Sequence, residues 1–303
     1  MKVLVTGAAG FIGSHTINLL EKHHHDVLAV DNFSTGKTEN LKGFRGQICP
    51  CDVIDAKLME KEFAEFKPHA VIHLAAQSAI STAFLDPKLD LWVNGIGTLN
   101  MLKLSEEFGV NRFVFASTSA VYKNQPFLSN RETSELSPNT PYGISKLAAE
   151  HYIRLLFKNH TILRYANVYG PRQTPIGDNQ LIARAFRHFL HGDDFMITGH
   201  GNQKRDFVYV EDIASCNVMA VEAGATGTFN VASGFSYSVN EVLSVIEDIY
   251  GVKGYRWDHT KNEDPRKSVY LNAGWIRKTM GWRAYTSLKD GLKLTSQWWE
   301  DHK

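Results

Sequence analysis

A chain of 303 residues, 43% of them hydrophobic, can bury one large core or two modest ones. Its 33 basic and 32 acidic residues leave a formal net charge of +1, so no charge excess draws it to nucleic acid or to an anionic membrane. No apolar run nears the ~20 residues of a membrane span. The N-terminus opens on a strand pattern without the basic and apolar regions of a secretion signal, so a cytoplasmic enzyme is expected.

In chain order, short β-rich apolar runs alternate with longer helical patterns. Residues 2–6, 27–30, 47–49, 70–74, 112–116 and 161–163 read as buried strands, and 12–22, 57–66, 89–108 and 142–158 as helices. That order means βαβ units, hence an α/β fold with a doubly wound parallel Rossmann sheet. The dinucleotide-type domain spans 1–170, with sheet segments continuing to about 235. Residues 171–303 form a smaller, interleaved C-terminal α/β lobe. It carries helices near 181–190, 213–222, 239–250 and 288–301 and short strands near 195–197 and 206–210. Cys49, Cys51 and Cys216 are sparse and odd in number, which favours buried thiols over a disulfide framework or a metal pair. His23-His24-His25 reads as a solvated helix end, because successive helical residues do not face one another. No metal site is expected.

Ligands of doubly wound sheets bind beyond the carboxyl ends of the strands. The first such end carries Gly7-Ala8-Ala9-Gly10-Phe11-Ile12-Gly13 between a strand and a helix. Small residues there let backbone N–H groups approach a pyrophosphate at a helix N-terminus. The pattern is T-G-x-x-G-x-x-G rather than the commoner G-x-G-x-x-G. Asp31 ends the second strand, where an acid accepts ribose hydroxyls and repels a 2′-phosphate, so NAD is favoured over NADP. Asp52-Val53 follows the third strand, where an acid can meet the adenine amine, and Leu74-Ala75-Ala76-Gln77 follows the fourth.

The fifth strand runs into Ser117-Thr118-Ser119-Ala120, and Tyr142 and Lys146 stand four apart at the head of a long helix. They share one helical face. An ammonium beside a phenol is expected to lower the tyrosine pKa from about 10 towards working pH. Tyr142 can then take a hydroxyl proton as hydride leaves the carbon, with Thr118 relaying it.

At these residues the chain resembles the extended short-chain dehydrogenase/reductase family, and within it the NAD-dependent nucleotide-sugar 4-epimerases. The resemblance includes Leu163-Arg164-Tyr165-Ala166-Asn167-Val168-Tyr169-Gly170-Pro171-Arg172-Gln173 and Arg205-Asp206-Phe207-Val208-Tyr209-Val210. It implies that NAD is held by Gly7, Gly10, Phe11, Ile12, Gly13, Asp31, Asn32, Ser34, Thr35, Gly36, Asp52, Val53, Leu74, Ala75, Ala76, Gln77, Asn94 and Ala166, with Tyr142 and Lys146. Asn167 and Arg205 would hold the nucleotide diphosphate, and Asn179 and Gln180 would touch substrate at the start of the next helix. The family's 4,6-dehydratases carry Thr-Asp-Glu where this chain has Thr118-Ser119-Ala120, so the carboxylates for elimination are missing. What remains is oxidation to a 4-keto sugar and return of the hydride to the other face.

The segment Lys261-Asn262-Glu263-Asp264 resembles the family's Arg-x-Gly-Asp but departs from it twice, leaving Lys261, Asp264 and Arg266 as candidate phosphate and substrate contacts. The same register puts Ser268, a small residue, at the gate beside the sugar's 2-position. This implies acceptance of UDP-N-acetyl sugars as well as UDP-glucose. Lys123 replaces a family glycine and should change the loop that follows. The rival readings are a UDP-glucuronate 4-epimerase, a 4-reductase or 4,6-dehydratase of the same fold, and a non-catalytic NAD-sensing regulator. The long helices 89–108 and 142–158 imply a homodimer by the family's helix pairing.

Overall fold

The computed structural model describes residues 1–123, 129–175, 180–192, 195–251, 256–258 and 268–302. The first part of the chain runs β1 (Lys2–Thr6), α1 (Phe11–Lys22), β2 (Asp26–Val30), β3 (Gln47–Cys49), α2 (Ala56–Phe66), β4 (Ala70–His73), α3 (Ile80–Leu85), α4 (Pro87–Leu91), α5 (Thr98–Glu107) and β5 (Arg112–Thr118). It continues through β6 (Ser129–Asn130), α6 (Pro141–Leu156), β7 (His160–Tyr165) and β8 (Asn167–Tyr169). Then come α7 (Leu181–His191), β9 (Met196–Thr198), β10 (Lys204–Arg205), β11 (Phe207–Tyr209), α8 (Val210–Glu222), β12 (Gly227–Val231) and β13 (Tyr237–Ser238). The chain closes with α9 (Val239–Tyr250), β14 (Arg256–Asp258), β15 (Ser268–Leu271), α10 (Gly274–Met280) and α11 (Leu288–Asp301).

Seven parallel strands form the central sheet in the order β12-β7-β5-β4-β1-β2-β3. The order reverses between β1 and β4, and that switch point opens a crevice at their carboxyl ends. Side chains of a strand alternate between faces. In β1, Val3 and Val5 therefore pack with Ile17 and Ile213 on the α1/α8 side, and Leu4 packs with Phe63 and Ile153 on the other. A second core of Phe186, Val242, Ile246 and Leu292 lies among α7, α9 and α11. A small sheet in the order β13-β10-β15-β6 adjoins it. No described helix is long and apolar enough to cross a membrane.

One expectation is refined and three are corrected. The helix expected over 89–108 runs without a break from Pro87 to Glu107, but it is π-helical over Trp92–Gly97, between α4 and α5. The wider turn turns Asn94 towards the site described below, as π-bulges at functional positions do. The strand expected over 206–210 is shorter, β11 at Phe207–Tyr209, and Val210 already begins α8. Cys49 and Cys51 are buried but joined as a disulfide, not free thiols. Residues two apart on extended backbone share a face, and their Cα atoms, 5.4 Å apart, lie within bridging range. Cys216 remains a buried free thiol. Finally, His23 and His25 are not a merely solvated helix end, since both reach Glu222 on α8.

Candidate active site

At the end of β1, Gly7 adopts φ +68°, and a Cβ there would lie 2.7 Å from the Ala75 nitrogen. Only glycine lets β1's turn lie so close to the end of β4. A Cβ on Gly13 would collide with the Gly7 carbonyl oxygen, so Gly13 lets α1 close over the turn. Gly10 is the N-cap of α1 and offers no side-chain cap, and the first turn, which includes Phe11 and Ile12, holds no acid. Uncapped N–H donors and a positive helix end with no competing acid suit a pyrophosphate.

Asp31 is buried, and its Oδ2 accepts from Ala9 N at 2.9 Å while Oδ1 accepts from Phe33 N at 2.8 Å. The same carboxylate thus braces the glycine turn and keeps a second lone pair on each oxygen for hydroxyl donors. A Cβ on Gly36 would stand 2.6 Å from Asp31 Oδ1, so this glycine covers the acid. Asn32 Nδ2 donates to Asp52 Oδ2 at 2.6 Å, joining the ends of β2 and β3, while Ser34 and Thr35 are exposed on the loop between those strands. Val53 is buried below. On the β4 side, Leu74 N donates to the Thr6 carbonyl and Ala75 N to Thr6 Oγ1, at 3.2 and 3.1 Å. Gln77 N donates to Asn94 Oδ1 at 3.0 Å. Ala76 stands between these anchored residues, and Ala166 N donates to the Val231 carbonyl at the end of β7. The residues read as cofactor contacts thus gather around the carboxyl ends of β1, β2, β3 and β4, with Ala166 at the end of β7. Asn40, not foreseen, also ties in, since its Nδ2 donates to the Ala9 carbonyl at 2.8 Å.

Thr140 caps α6 by accepting from Gly143 N at 3.0 Å, and a Cβ on Gly143 would stand 2.6 Å from the Ala120 carbonyl. The head of α6 therefore rests on the turn after β5, which brings Tyr142 beside Thr118. Burial pushes the Tyr142 phenol up to about 12, the bond from Thr118 opposes this, and Asp90 adds to it. Lys146 is 2% exposed. Its Nζ donates to the Ala116 carbonyl at 2.9 Å and lies 4.6 Å from the centre of the Phe115 ring. Burial pulls Lys146 down to about 8, against the charges of Asp90 and Glu150. The expected lowering of the tyrosine by the lysine is thus not found in the protein alone: the ammonium is engaged by Ala116, and desolvation dominates the phenol.

Asp90 is the functional candidate missed in the sequence. It is 1% exposed; Oδ1 accepts from Gln77 Nε2 at 2.9 Å and Asn94 Nδ2 at 3.1 Å, and Oδ2 is buried without a hydrogen-bond partner. Asn94 also donates to Ser145 Oγ on α6 at 3.1 Å, linking Asp90 to the helix that carries Tyr142. The available signal was an acid, four residues before Asn94, in an otherwise apolar helical run. His73 lies beneath, between Thr6 Oγ1 at 2.7 Å and Thr98 Oγ1 at 3.1 Å. Burial, with Lys146 nearby, pushes it down to about 3 and keeps it neutral.

On the lobe side, Asn167 pairs with Phe207 in the β8–β11 ladder and its Nδ2 donates to the Asp206 carbonyl at 3.1 Å. Arg205, one residue earlier, is on β10. Ser268 is paired in register with Lys204 on that strand. Asn167 and Arg205 thus meet at Asp206 from two different sheets, and Ser268 lies on the strand beside that of Arg205. Gln180 is the N-cap of α7, and its Oε1 is buried without a partner. Asn179, Lys261, Asp264 and Arg266 lie outside the described residues. Lys123 forms an ion pair with Glu135 at 2.9 Å, giving the residue that replaces glycine a local anchor.

Among proteins of known sequence, a putative UDP-glucose 4-epimerase of Methanocaldococcus jannaschii is 35% identical, with 99% of each chain covered. Among solved structures, the UDP-glucose 4-epimerase of Thermotoga maritima with UDP-glucose superimposes with a TM-score of 0.93 at 35% identity, covering 100% of this chain and 99% of that one. The Thermus thermophilus UDP-glucose 4-epimerase in complex with NAD gives a TM-score of 0.91 at 34% identity, covering 99% of each. Residues 3–232 match the description of one family. With that match, the glycine turn and the Thr118–Tyr142 pair at the switch point, the chain belongs to the NAD dependent epimerase/dehydratase family, and NAD is its cofactor.

Proposed function

We propose that this protein interconverts the C4 epimers of a UDP-sugar: UDP-glucose and UDP-galactose, and also their N-acetylamino counterparts. The observation that carries the reading is the placement of Tyr142 beside Thr118 at the carboxyl end of β5, followed by Ser119-Ala120, which supply no carboxylate for elimination. NAD, held at the glycine turn and Asp31, would supply a reversible hydride acceptor for the sugar carbon. Tyr142 takes the C4 hydroxyl proton at its phenolic oxygen and returns it in the second half of the cycle. Thr118 holds the hydroxyl and the phenol in one hydrogen-bonded line. Lys146, tied to the Ala116 carbonyl, does not lower the phenol in the protein alone, so the positive nicotinamide ring would supply that charge, while the buried Asp90 keeps the lysine protonated. Asn167 and Arg205 orient the diphosphate, the guanidinium supplying a planar fork for phosphate oxygens. Lys261, Asp264 and Arg266 complete the grip in this reading, and Ser268 leaves room at the sugar's 2-position. Two copies pair through α4 and α6.

The test is product analysis by NMR after incubation with UDP-glucose, UDP-N-acetylglucosamine and UDP-glucuronate, with no cofactor added. Epimers of the first two at equilibrium are expected. A net redox product, or a requirement for added NADH, overturns the epimerase reading. Turnover of UDP-glucose without UDP-N-acetylglucosamine overturns only the assignment of Ser268.

A further inference from the structure

A second cluster of chemistry-bearing side chains lies at the opposite end of the sheet, where α1 turns into β2. His23 is the C-cap of α1, and its N–H bonds back to the carbonyls of Leu19 and Leu20. His24 then takes a left-handed φ of +59°, an unusual conformation for a residue with a Cβ. His25 N returns to the Leu20 carbonyl before the chain enters β2. The reversal at His24 sends the rings of His23 and His25 to one side, nearly parallel at 15° with centroids 6.5 Å apart. Side chains at neighbouring helical positions could not do this; the left-handed residue between them makes it possible.

Glu222 arrives from the end of α8, which packs along α1 and is tied to it by a 3.1 Å hydrogen bond from Asn217 Nδ2 to Thr16 Oγ1. One oxygen of Glu222, Oε1, stands 3.0 Å from His23 Nδ1 and 2.9 Å from His25 Nε2. The three atoms all lie within 4.8 Å of one another. The other ring nitrogen of His25 lies 3.3 Å from the Met1 nitrogen. The His25 side chain is 6% exposed, whereas those of His23 and Glu222 are 44% and 39% exposed. The cluster thus has one rigid ligand, two adjustable ones and an open side for water.

We infer that His23, His25 and Glu222 form a binding site for one zinc-class divalent ion, which clamps the α1–β2 turn to the end of α8. Two imidazole nitrogens and one carboxylate are a donor set for zinc rather than for calcium or magnesium, which prefer all-oxygen shells. Zinc–ligand bonds of about 2.0–2.1 Å in tetrahedral geometry place ligand atoms about 3.3–3.4 Å apart. The two contacts to Oε1 need only a few tenths of an ångström of opening, well within the freedom of the exposed side chains. Each histidine binds the metal as a neutral imidazole through the nitrogen that faces Oε1, with its ring proton on the other nitrogen. With Nε2 of His25 on the metal, the ring nitrogen near Met1 carries the proton, so metal binding replaces that contact. The site is independent of the epimerase reading, since it sits at the far ends of the strands from Tyr142.

The test uses the full chain after chelator treatment, with zinc affinity measured against a chromophoric chelator and cobalt(II) as a spectroscopic probe. One zinc per chain, a dissociation constant at or below about 1 μM, and the visible bands of four-coordinate cobalt are expected. At about one hundred times that concentration, the melting temperature should rise by a few degrees. E222Q keeps an oxygen that can accept both ring N–H groups but is a poor metal ligand. It and H23N should weaken zinc at least about tenfold while leaving the metal-free melting temperature within a degree or so of wild type. No stoichiometric zinc binding, or equal binding in wild type, E222Q and H23N, overturns the proposal. The second outcome would place the ion elsewhere, as at Cys49, Cys51 and Glu62 after reduction.

Discussion

At the scale of single residues, Tyr142 is held between opposing influences. Burial and Asp90 keep its proton on, and the hydrogen bond from Thr118 favours its loss. A phenol near 12 is a poor base at neutral pH, so added positive charge in the crevice must do what Lys146, drawn to Ala116, does not do in the protein alone. Removing the phenolic oxygen should leave binding intact and stop the chemistry. Tyr142→Phe is expected to lower kcat by about 10²- to 10⁴-fold, with NAD still released on denaturation in wild-type amounts. Asp90 makes a subtler prediction. Its negative charge raises the proton affinity of both Tyr142 and Lys146. Asp90→Asn removes that charge, so both groups lose protons more readily and the pH–rate profile should shift to lower pH. An unshifted profile with an intact fold would remove Asp90 from the electrostatics of the site.

At the scale of elements, two contacts decide whether the crevice forms. The first is the closure of α1 on β1 at Gly13. Gly13→Ala places a methyl group on the Gly7 carbonyl, and the helix must withdraw. Purified variant protein should retain little NAD, seen as loss of the cofactor's absorbance after gel filtration. The second joins α6 to β7. Arg164 Nε and Nη2 donate to the two oxygens of the buried Glu150 at 2.9 and 2.6 Å, while Ser117 Oγ and Arg154 add further bonds. This pair holds the Tyr142 helix against the sheet. Burial alone would raise Glu150, but the bonds and charge of Arg164 hold it below the usual range. The sign follows: a depressed carboxylate stabilises the fold above its unfolded pKa, and that contribution fades only as pH falls through the folded value. Glu150→Gln should therefore cost about 3–5 kcal/mol at pH 7, because Arg164 is left charged and buried. The loss relative to wild type should shrink in acid, as urea titrations at pH 7 and pH 4 would show.

At the scale of the whole molecule, the apolar surface is uneven. Leu91 and Trp92, at 53% and 50% exposed, stand at the end of α4 and the π-helical turn, and Ile144, Tyr152 and Leu155 fall on one face of α6. Leu155 is 81% exposed. Adjacent exposed apolar residues on two packed helices suit an isologous contact with a second copy. We expect the protein to sediment at twice the chain mass and Leu155→Glu to shift it to the mass of one chain without changing the circular dichroism. A wild-type protein that sediments as one chain at micromolar concentration would remove the dimer.

Much of this molecule was decided locally. Strand and helix periodicity, the glycine spacing of the β1–α1 turn and the four-residue step from Tyr142 to Lys146 depend on neighbours in the chain, so β1, β3, α9 and α11 were readable to the residue. So was the place of the site, because parallel βαβ order puts ligand crevices at strand carboxyl ends. The rest depended on contacts between distant segments. Asp90 became a partner of Tyr142 only when the π-helical turn brought Gln77, Asn94 and Ser145 together. Lys146 found Ala116 rather than the phenol because α6 settles against β5. His23 and His25 met Glu222 because α1 and α8 lie side by side, though 199 residues separate His23 from its partner. Hydrophobic pattern sets where elements lie, but desolvation and charge pairing act between whichever groups the packing makes neighbours, and that neighbourhood exists only in three dimensions.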